Sequence, residues 1–364
     1  MENKIVFISS LGKIAFFLML IFSVFLLTVK STKKSSNYIL GLMLLLVAFD
    51  LSGFFIGECF EEHLILNSIK TASALLQMPL FLCYVLSVCF SNFRFKPIHL
   101  LHIVLFVTFL IIFKIASLSS SSLKLYGVIV ELQWFAYMIA VFVSLKRYNR
   151  IQLENTSQSN SRAYQWLFQF AVLSCVAHSF VLMKSCLQYV NLEHLILDLN
   201  IVISISTLVI TTWFVLKALY HPQLFTGIET NLRPVKSSLR RGDSSLNQTL
   251  LKGEIERLQA FMKNEKPYLD FELTLQKLAT QFDMPEKELS ILINHHMGKH
   301  FFDFINEYRI EEAKTILANP NEKHQTILEV LYHVGFNSKS SFYTSFKKLT
   351  GKTPTVFRKE QLAH

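Results

Sequence analysis

The chain has 364 residues, 36 basic against 26 acidic side chains, a formal net charge of +10 and 33 phenylalanines. That length allows two or three domains, and a mean hydropathy of +0.37 excludes a wholly soluble chain. The average hides a division: residues 1–216 hold nine acidic and fifteen basic residues among long runs of Phe, Leu, Ile and Val, whereas residues 217–364 hold seventeen and twenty-one and read as an ordinary soluble protein.

The first half contains seven apolar segments of about 20 residues, the length that crosses a bilayer core. They cover 7–29, 38–57, 69–90, 97–116, 125–145, 164–187 and 195–217. No small-residue cleavage site follows the first run, so it reads as a retained span. Lys70 and Gln77 interrupt the third segment, Lys184 interrupts the sixth, and Pro79 predicts a kink in the third. Lys30, Lys33 and Lys34, then Arg94 and Lys96, then Lys146, Arg147, Arg150 and Arg162 fall in alternate loops, while the second–third loop carries Glu58, Glu61 and Glu62. Basic loops stay on the cytoplasmic side, which places the N-terminus outside and everything after Val215 in the cytoplasm. An odd number of spans agrees.

In that orientation Asp50, Glu131, His178, Lys184 and Asp198 fall in the outer halves of their helices, and the inner halves are nearly uncharged. Charge at membrane depth usually faces the bundle interior or a wet cavity. One reading is an outward-opening polar pocket for a signal, lined by Asp50, Glu131, His178 and Asp198; the other is hydrogen bonding between helices. Cys59 and Cys186 lie near outer helix ends and read as free thiols, with a disulfide as the alternative. No CxxC, no Cys/His zinc spacing, no HExxH and no GxSxG occurs, so nothing points to an enzyme, a metal or a cofactor.

Residues 218–248 contain Pro222, Arg233, Pro234, Lys236, Arg240 and Arg241 with little apolar periodicity, and read as a cytoplasmic linker. A helical domain follows over 249–364. Leu251, Ile255, Leu258 and Met262 form the buried stripe of its first helix. Residues 274–297 then read as helix, turn and helix, with Pro285 at the first position of the second helix and Gly298 as its stop. A long helix over 300–318 buries Phe301, Phe304, Ile305, Tyr308, Ile310, Ala313 and Leu317. Residues 326–348 repeat the helix-turn-helix pattern around Gly335, and in the last helix Phe342, Phe346 and Leu349 make one apolar stripe. Lys339, Ser340, Tyr343 and Lys347 lie on another face. The expected fold is therefore all-α: a seven-helix transmembrane bundle over 1–217, the linker, and a cytoplasmic helical domain with two helix-turn-helix units.

Several short motifs of that domain occur in one order: Leu278-Ala279, Leu289-Ser290, Gly298, Asn306 to Lys314, Gly335-Phe336, Ser340-Ser341-Phe342, Phe346-Lys347-Lys348, Gly351 to Pro354 and Phe357-Arg358. On these residues the segment 249–360 resembles the AraC/XylS-type DNA-binding domain. The resemblance implies a bacterial transcription regulator whose two helix-turn-helix units enter adjacent major-groove segments. A seven-span region ahead of such a domain looks like the membrane-bound regulators of Bacteroidetes-type bacteria, which implies a multi-pass protein of the bacterial inner membrane.

Charge divides the domain unevenly. Residues 249–332 hold ten basic and fourteen acidic residues, whereas 333–364 hold six and one. Phosphate contacts supply most non-specific DNA affinity, so the second unit is expected to dominate binding. There Lys339, Ser340, Tyr343 and Lys347 are the candidates for base edges or phosphates, with Lys348 and Lys352 positioning the backbone. In the first unit the candidates are Lys287, Ser290 and Asn294. Ile291 stands where the family usually places a polar or basic reader, and Glu286 and Glu288 flank the helix start.

The reading is a membrane-anchored regulator that binds promoter DNA under control of a signal sensed by the spans. Its expected partners are promoter DNA, the lipid bilayer, a small-molecule or membrane signal, RNA polymerase and a second copy of the chain. The rival from another class is a transporter or channel with a regulatory cytoplasmic domain. Against it, no charged path crosses the inner halves of the spans and no two-half repeat is visible.

Overall fold

A computed structural model describes residues 2–31, 34–90, 93–116, 118–157, 162–189, 193–220 and 246–362. The chain divides into two compact units: Met1–Tyr148 with Arg162–Asn231, and Asn149–Ser161 with Leu232–His364. The described residues are helical, and their one β-type pairing is an isolated antiparallel bridge between Thr156 and Thr274.

The first unit contains α1 (Glu2–Thr28), α2 (Lys34–Leu51), a short α3 (Gly57–Glu62), α4 (Leu64–Cys89), α5 (His102–Ala116), most of α6 (Ser120–Asn155), α7 (Arg162–Tyr189) and α8 (Glu193–Tyr220). All but α3 are long and apolar enough to cross a membrane, α5 together with the 3-10 turn before it (His99–Ala116), which makes seven among the described residues. α1 packs on α2 and α8, α2 on α4, α4 on α5, and α7 on α8. The main core gathers Leu26, Leu40, Tyr84, Leu167 and Phe214 around Trp166. Gly41 brings α1 and α2 together: a Cβ there would lie 3.2 Å from Leu27, and the Ser23 hydroxyl donates to the Gly41 carbonyl at 2.8 Å. Small residues and a shared hydroxyl are what hold helices together where no hydrophobic drive separates them from lipid. Large apolar side chains cover the outside, among them Ile115, Ile21 and Leu132, which are 80%, 67% and 65% exposed.

Two details depart from expectation. α6 is 36 residues long and runs to Asn155, past the apolar window expected to close at 145. α3 occupies part of the second–third loop. Pro79 lies inside α4, which continues as helix on both sides of it. All five cysteines are free, and Cys59 and Cys186 are exposed. Of the expected linker, residues 221–245 lie outside the described residues.

The second unit contains α9 (Leu246–Glu265), a 3-10 turn at Pro267–Leu269, α10 (Leu275–Gln281), α11 (Glu286–Ile291), α12 (Phe301–Ala318), α13 (Ile327–His333), α14 (Lys339–Thr350) and α15 (Pro354–Gln361). α11 continues into a wider turn of helix, Leu292–His296. Polar side chains at the starts accept the otherwise orphaned amides: Thr274 from Lys277, Thr326 from Glu329, Ser338 from Ser341 and Thr353 from Val356. Pro285 sits one position earlier than expected, at the N-cap of α11.

Two cores share α12. Phe301, Phe304 and Ile305 join Leu258, Met262, Leu275, Leu278 and Leu289 in the first; Ile310, Ala313 and Leu317 join Leu331, Phe336, Phe342 and Phe346 in the second. One helix thus carries both helical pairs, α10–α11 at one end and α13–α14 at the other. Its 18 residues make it about 27 Å long at 1.5 Å per residue.

Candidate nucleic-acid interface

The second pair is built to present α14. Thr326 and Glu329 cap α13 reciprocally, the Glu329 carboxylate accepting from the Thr326 amide at 2.7 Å and its hydroxyl at 2.9 Å. These bonds hold the Glu329 carboxyl below its ordinary 4.5. Gly335 then turns the chain at φ +86°, a conformation that disfavours any side chain, and a Cβ there would stand 2.6 Å from the Tyr268 carbonyl oxygen. Gly351 closes α14 at φ +74°.

α14 has two faces. Phe342 and Phe346 are fully buried, and Phe342 meets Phe336 edge-on with ring centroids 5.2 Å apart. Leu349, expected on the same stripe, is 43% exposed and lines the cleft between α14 and the start of α12. Lys339, Ser340, Lys347 and Lys348 are exposed as expected. Tyr343 is half-buried: its ring rests against the second core with the Lys339 ammonium 5.6 Å from its centroid. Thr344 is exposed one turn after Ser340 and one turn before Lys348, and belongs to this face. Its spacing of four from Ser340 was the signal available in the sequence.

The lysines differ in what they already hold. Lys348 donates to Asp303 of α12 at 2.7 Å, and Lys352 is paired with Glu360. Lys347 makes no ion pair among the described residues. Between α14 and the start of α12 lies an open cleft of about 460 Å³, lined by Lys299, Asp303, Asn306, Ser340, Thr344 and Lys348. Asn306 is 2% exposed and neither atom of its amide has a partner among the described residues.

The first pair presents less. Lys287 is exposed, but Ser290 is only 4% exposed and its hydroxyl accepts from the Asn294 amide at 3.0 Å. Ser290 is thus engaged beneath the surface, whereas Asn294 is half-buried and its Oδ1 has no hydrogen-bond partner among the described residues. Glu286 and Glu288 are exposed at the start of α11. Residues 249–332 carry fourteen acidic side chains and residues 333–364 one, so the field around this face favours an anion at α14 and opposes one at α11.

In the first unit the four residues expected to line a pocket have different partners. Glu131 Oε2 lies 2.8 Å from His178 Nε2, and the His178 ring stacks on Trp134 at 3.8 Å. Asp198 pairs with Lys4. Asp50 lies within electrostatic reach of Lys70 and Lys184. Among the described residues no three His, Cys, Asp or Glu side chains form a metal site.

Residues 278–360 match the helix-turn-helix domain family. The chain is also similar to curated relatives. Over 92 residues the chain is 34% identical to an HTH-type transcriptional regulator of Staphylococcus aureus strain COL, and over 90 residues 30% identical to the HTH-type transcriptional regulator YtdP of Bacillus subtilis. Each match takes in 25% of this chain, which spans 12% and 11% of those proteins' lengths. An HTH-type transcriptional regulator of Pseudoalteromonas carrageenovora is 27% identical over 130 residues, 35% of this chain and 75% of that protein. Among solved structures, the C-terminal domain of the two-component response regulator yesN from Fusobacterium nucleatum is 29% identical, covering 31% of this chain and 99% of that domain, with a TM-score of 0.24.

Proposed function

We propose that this chain is a membrane-anchored transcription regulator that binds promoter DNA through α14. The observation that carries the reading is the two-faced α14 inside the segment that matches the helix-turn-helix family. Phe342 and Phe346 fix the helix in the core, while Lys339, Ser340, Thr344 and Lys347 stand outward together. A capped helix with short polar side chains between two lysines suits a major groove: hydroxyls bond base edges and lysines neutralise phosphates. The first pair, on the same beam, is a second helix-turn-helix unit. A spacing of about 27 Å along α12 approaches the ~34 Å between successive major-groove faces on one side of a duplex. With Ser290 and Asn294 engaged with each other, the first unit contributes position more than base reading, through Lys287.

The seven apolar helices, apolar on their outer surfaces, support a multi-pass anchor in the bacterial inner membrane with the N-terminus outside. The signal acts through the spans, where Glu131 and His178 form the partly buried polar pair best placed to respond to it. Homodimerisation and contact with RNA polymerase belong to this reading as its regulatory output.

The test is selection from a random pool of duplexes by the full chain in lipid nanodiscs. A short consensus is expected, and Ser340→Ala with Thr344→Ala relaxes it at two adjacent positions while leaving the rest intact. A pool that never enriches refutes the reading.

A further inference from the structure

The segment between the fifth and sixth apolar helices belongs to the C-terminal unit. Thr156 pairs with Thr274 in the antiparallel bridge. Ser157 donates twice to the Leu273 carbonyl, from its amide at 3.3 Å and its hydroxyl at 2.8 Å. Arg309 of α12 holds it from the other side, Nη1 donating to the Ser157 carbonyl at 3.3 Å and Nη2 to its hydroxyl oxygen at 3.1 Å. The same guanidinium donates from Nε to the Tyr268 carbonyl at 2.7 Å and from Nη2 to the Asp270 carbonyl at 2.7 Å. It lies 5.5 Å from the Phe336 ring centroid.

Arg309 is 1% exposed and makes no ion pair among the described residues. Burial pulls it down to about 10, so it stays charged at neutral pH. A buried cation must have its donors filled. Residues 268 and 270 take two of its five donors, and Ser157 takes two more. The Tyr268 carbonyl is also the atom against which Gly335 is packed. Arg309 and the strap 267–270 thus join the first helical pair, α12 and the turn before α14 at one point, and Thr156–Ser157 is fastened to it. Ser157 is 2% exposed and 152 residues away in sequence, so this is a tertiary contact and no local turn.

We propose that Thr156–Ser157 is an intramolecular latch that docks at Arg309, and that the docked chain binds DNA more weakly than the released one. The proposal rests on the DNA-binding reading above. A switch needs an element with two arrangements that the ligands distinguish. The latch qualifies because water can replace Ser157 at the guanidinium when the segment leaves. Docked, it pins the strap that both helical pairs share and adds a second attachment to the domain's own chain connection. Both effects narrow the arrangements of the helical pairs from which a duplex can select. The latch directly continues α6, so a displacement of that helix bears on it first.

The test uses the full chain in lipid nanodiscs carrying Thr156→Cys and Thr274→Cys, with Thr156→Cys alone as control. Directly opposed residues of an antiparallel pair lie about 4.5–5.5 Å apart, within disulfide reach. Mild oxidation is expected to join the two introduced cysteines. The oxidised chain then binds the selected duplex at least about fivefold more weakly than the same sample after reduction, the lower end of ordinary coupling. Ser157→Ala shifts affinity the opposite way, towards tighter binding. Failure of the disulfide to form, or equal or tighter binding when oxidised, overturns the latch. A chain that binds no duplex in either state overturns the DNA-binding reading instead, and the disulfide yield alone then decides whether the segment docks.

Discussion

Gly335→Ala tests how tightly the turn before α14 is specified. The residue sits at φ +86°, and an added methyl carbon would meet the carbonyl oxygens of Tyr268 and Leu269 at 2.6 and 2.8 Å. Both obstacles are backbone atoms, so no rotamer relieves them. Gly351 is the internal control: it has φ +74°, but nothing lies within 4 Å of its Cβ position. The left-handed conformation costs alanine about 1 kcal/mol at either site. Crowding adds ~1–3 kcal/mol at Gly335 alone, giving about 2–4 against about 1. The Tyr268 carbonyl also accepts from Arg309, so displacing it loosens the buried guanidinium. Hydrogen exchange of the full chain in detergent, read on peptides spanning 267–273 and 330–346, measures both costs. Equal loss of protection in the two variants would refute the steric argument.

Phe342→Ala empties a site that is fully buried between Phe336 and Phe346 and is expected to cost ~3–5 kcal/mol; Ser340→Ala, on the exposed face, should leave exchange protection unchanged in the same assay. Glu329 accepts the Thr326 bonds only as a carboxylate, so its folded value lies below its unfolded one. Its contribution is complete above 4.5 and is lost as pH falls through the lowered folded value. The Thr326 amide resonance should therefore titrate with a midpoint below 4.5, and Glu329→Gln should abolish that titration; a midpoint at or above 4.5 contradicts the capping bonds. His178→Phe keeps the stack on Trp134 but removes the partner of Glu131. It is expected to leave the helices intact by circular dichroism and to blunt the response of transcription to whatever signal the spans receive, and an unaltered response removes His178 from that role.

Periodicity and punctuation made much of this architecture readable. Seven long apolar runs, Gly335 and Gly351 at positive φ, and the threonine and serine caps all carry local signals that one sequence displays. The alternation of Phe342 and Phe346 with Lys339 and Lys347 likewise separated the buried from the outward face. What periodicity could not show was tertiary. Ser290 falls on a polar face by spacing, yet it is buried, and its hydroxyl accepts from Asn294 one turn later within a helix that widens at Leu292. Leu349 has core spacing, but it faces the open cleft beside the start of α12. Lys348 has Asp303, 45 residues away in sequence, as an ion-pair partner that no local pattern announces. Ser157 and Arg309 meet across 152 residues, and neither residue type announces the other.

The central claim is that α14 is the DNA-reading helix, and the dependence of duplex affinity on salt tests it most directly. Lys347 has no ion-pair partner among the described residues, whereas Lys348 is engaged by Asp303. With the full chain in nanodiscs and the selected duplex, Lys347→Ala should lower the slope of log affinity against log salt by about 0.9, the loss of one phosphate contact. Lys348→Ala should lower it by less, because its charge is already shared with a carboxylate. An unchanged slope for Lys347→Ala, or wild-type affinity that does not depend on salt, would contradict the account.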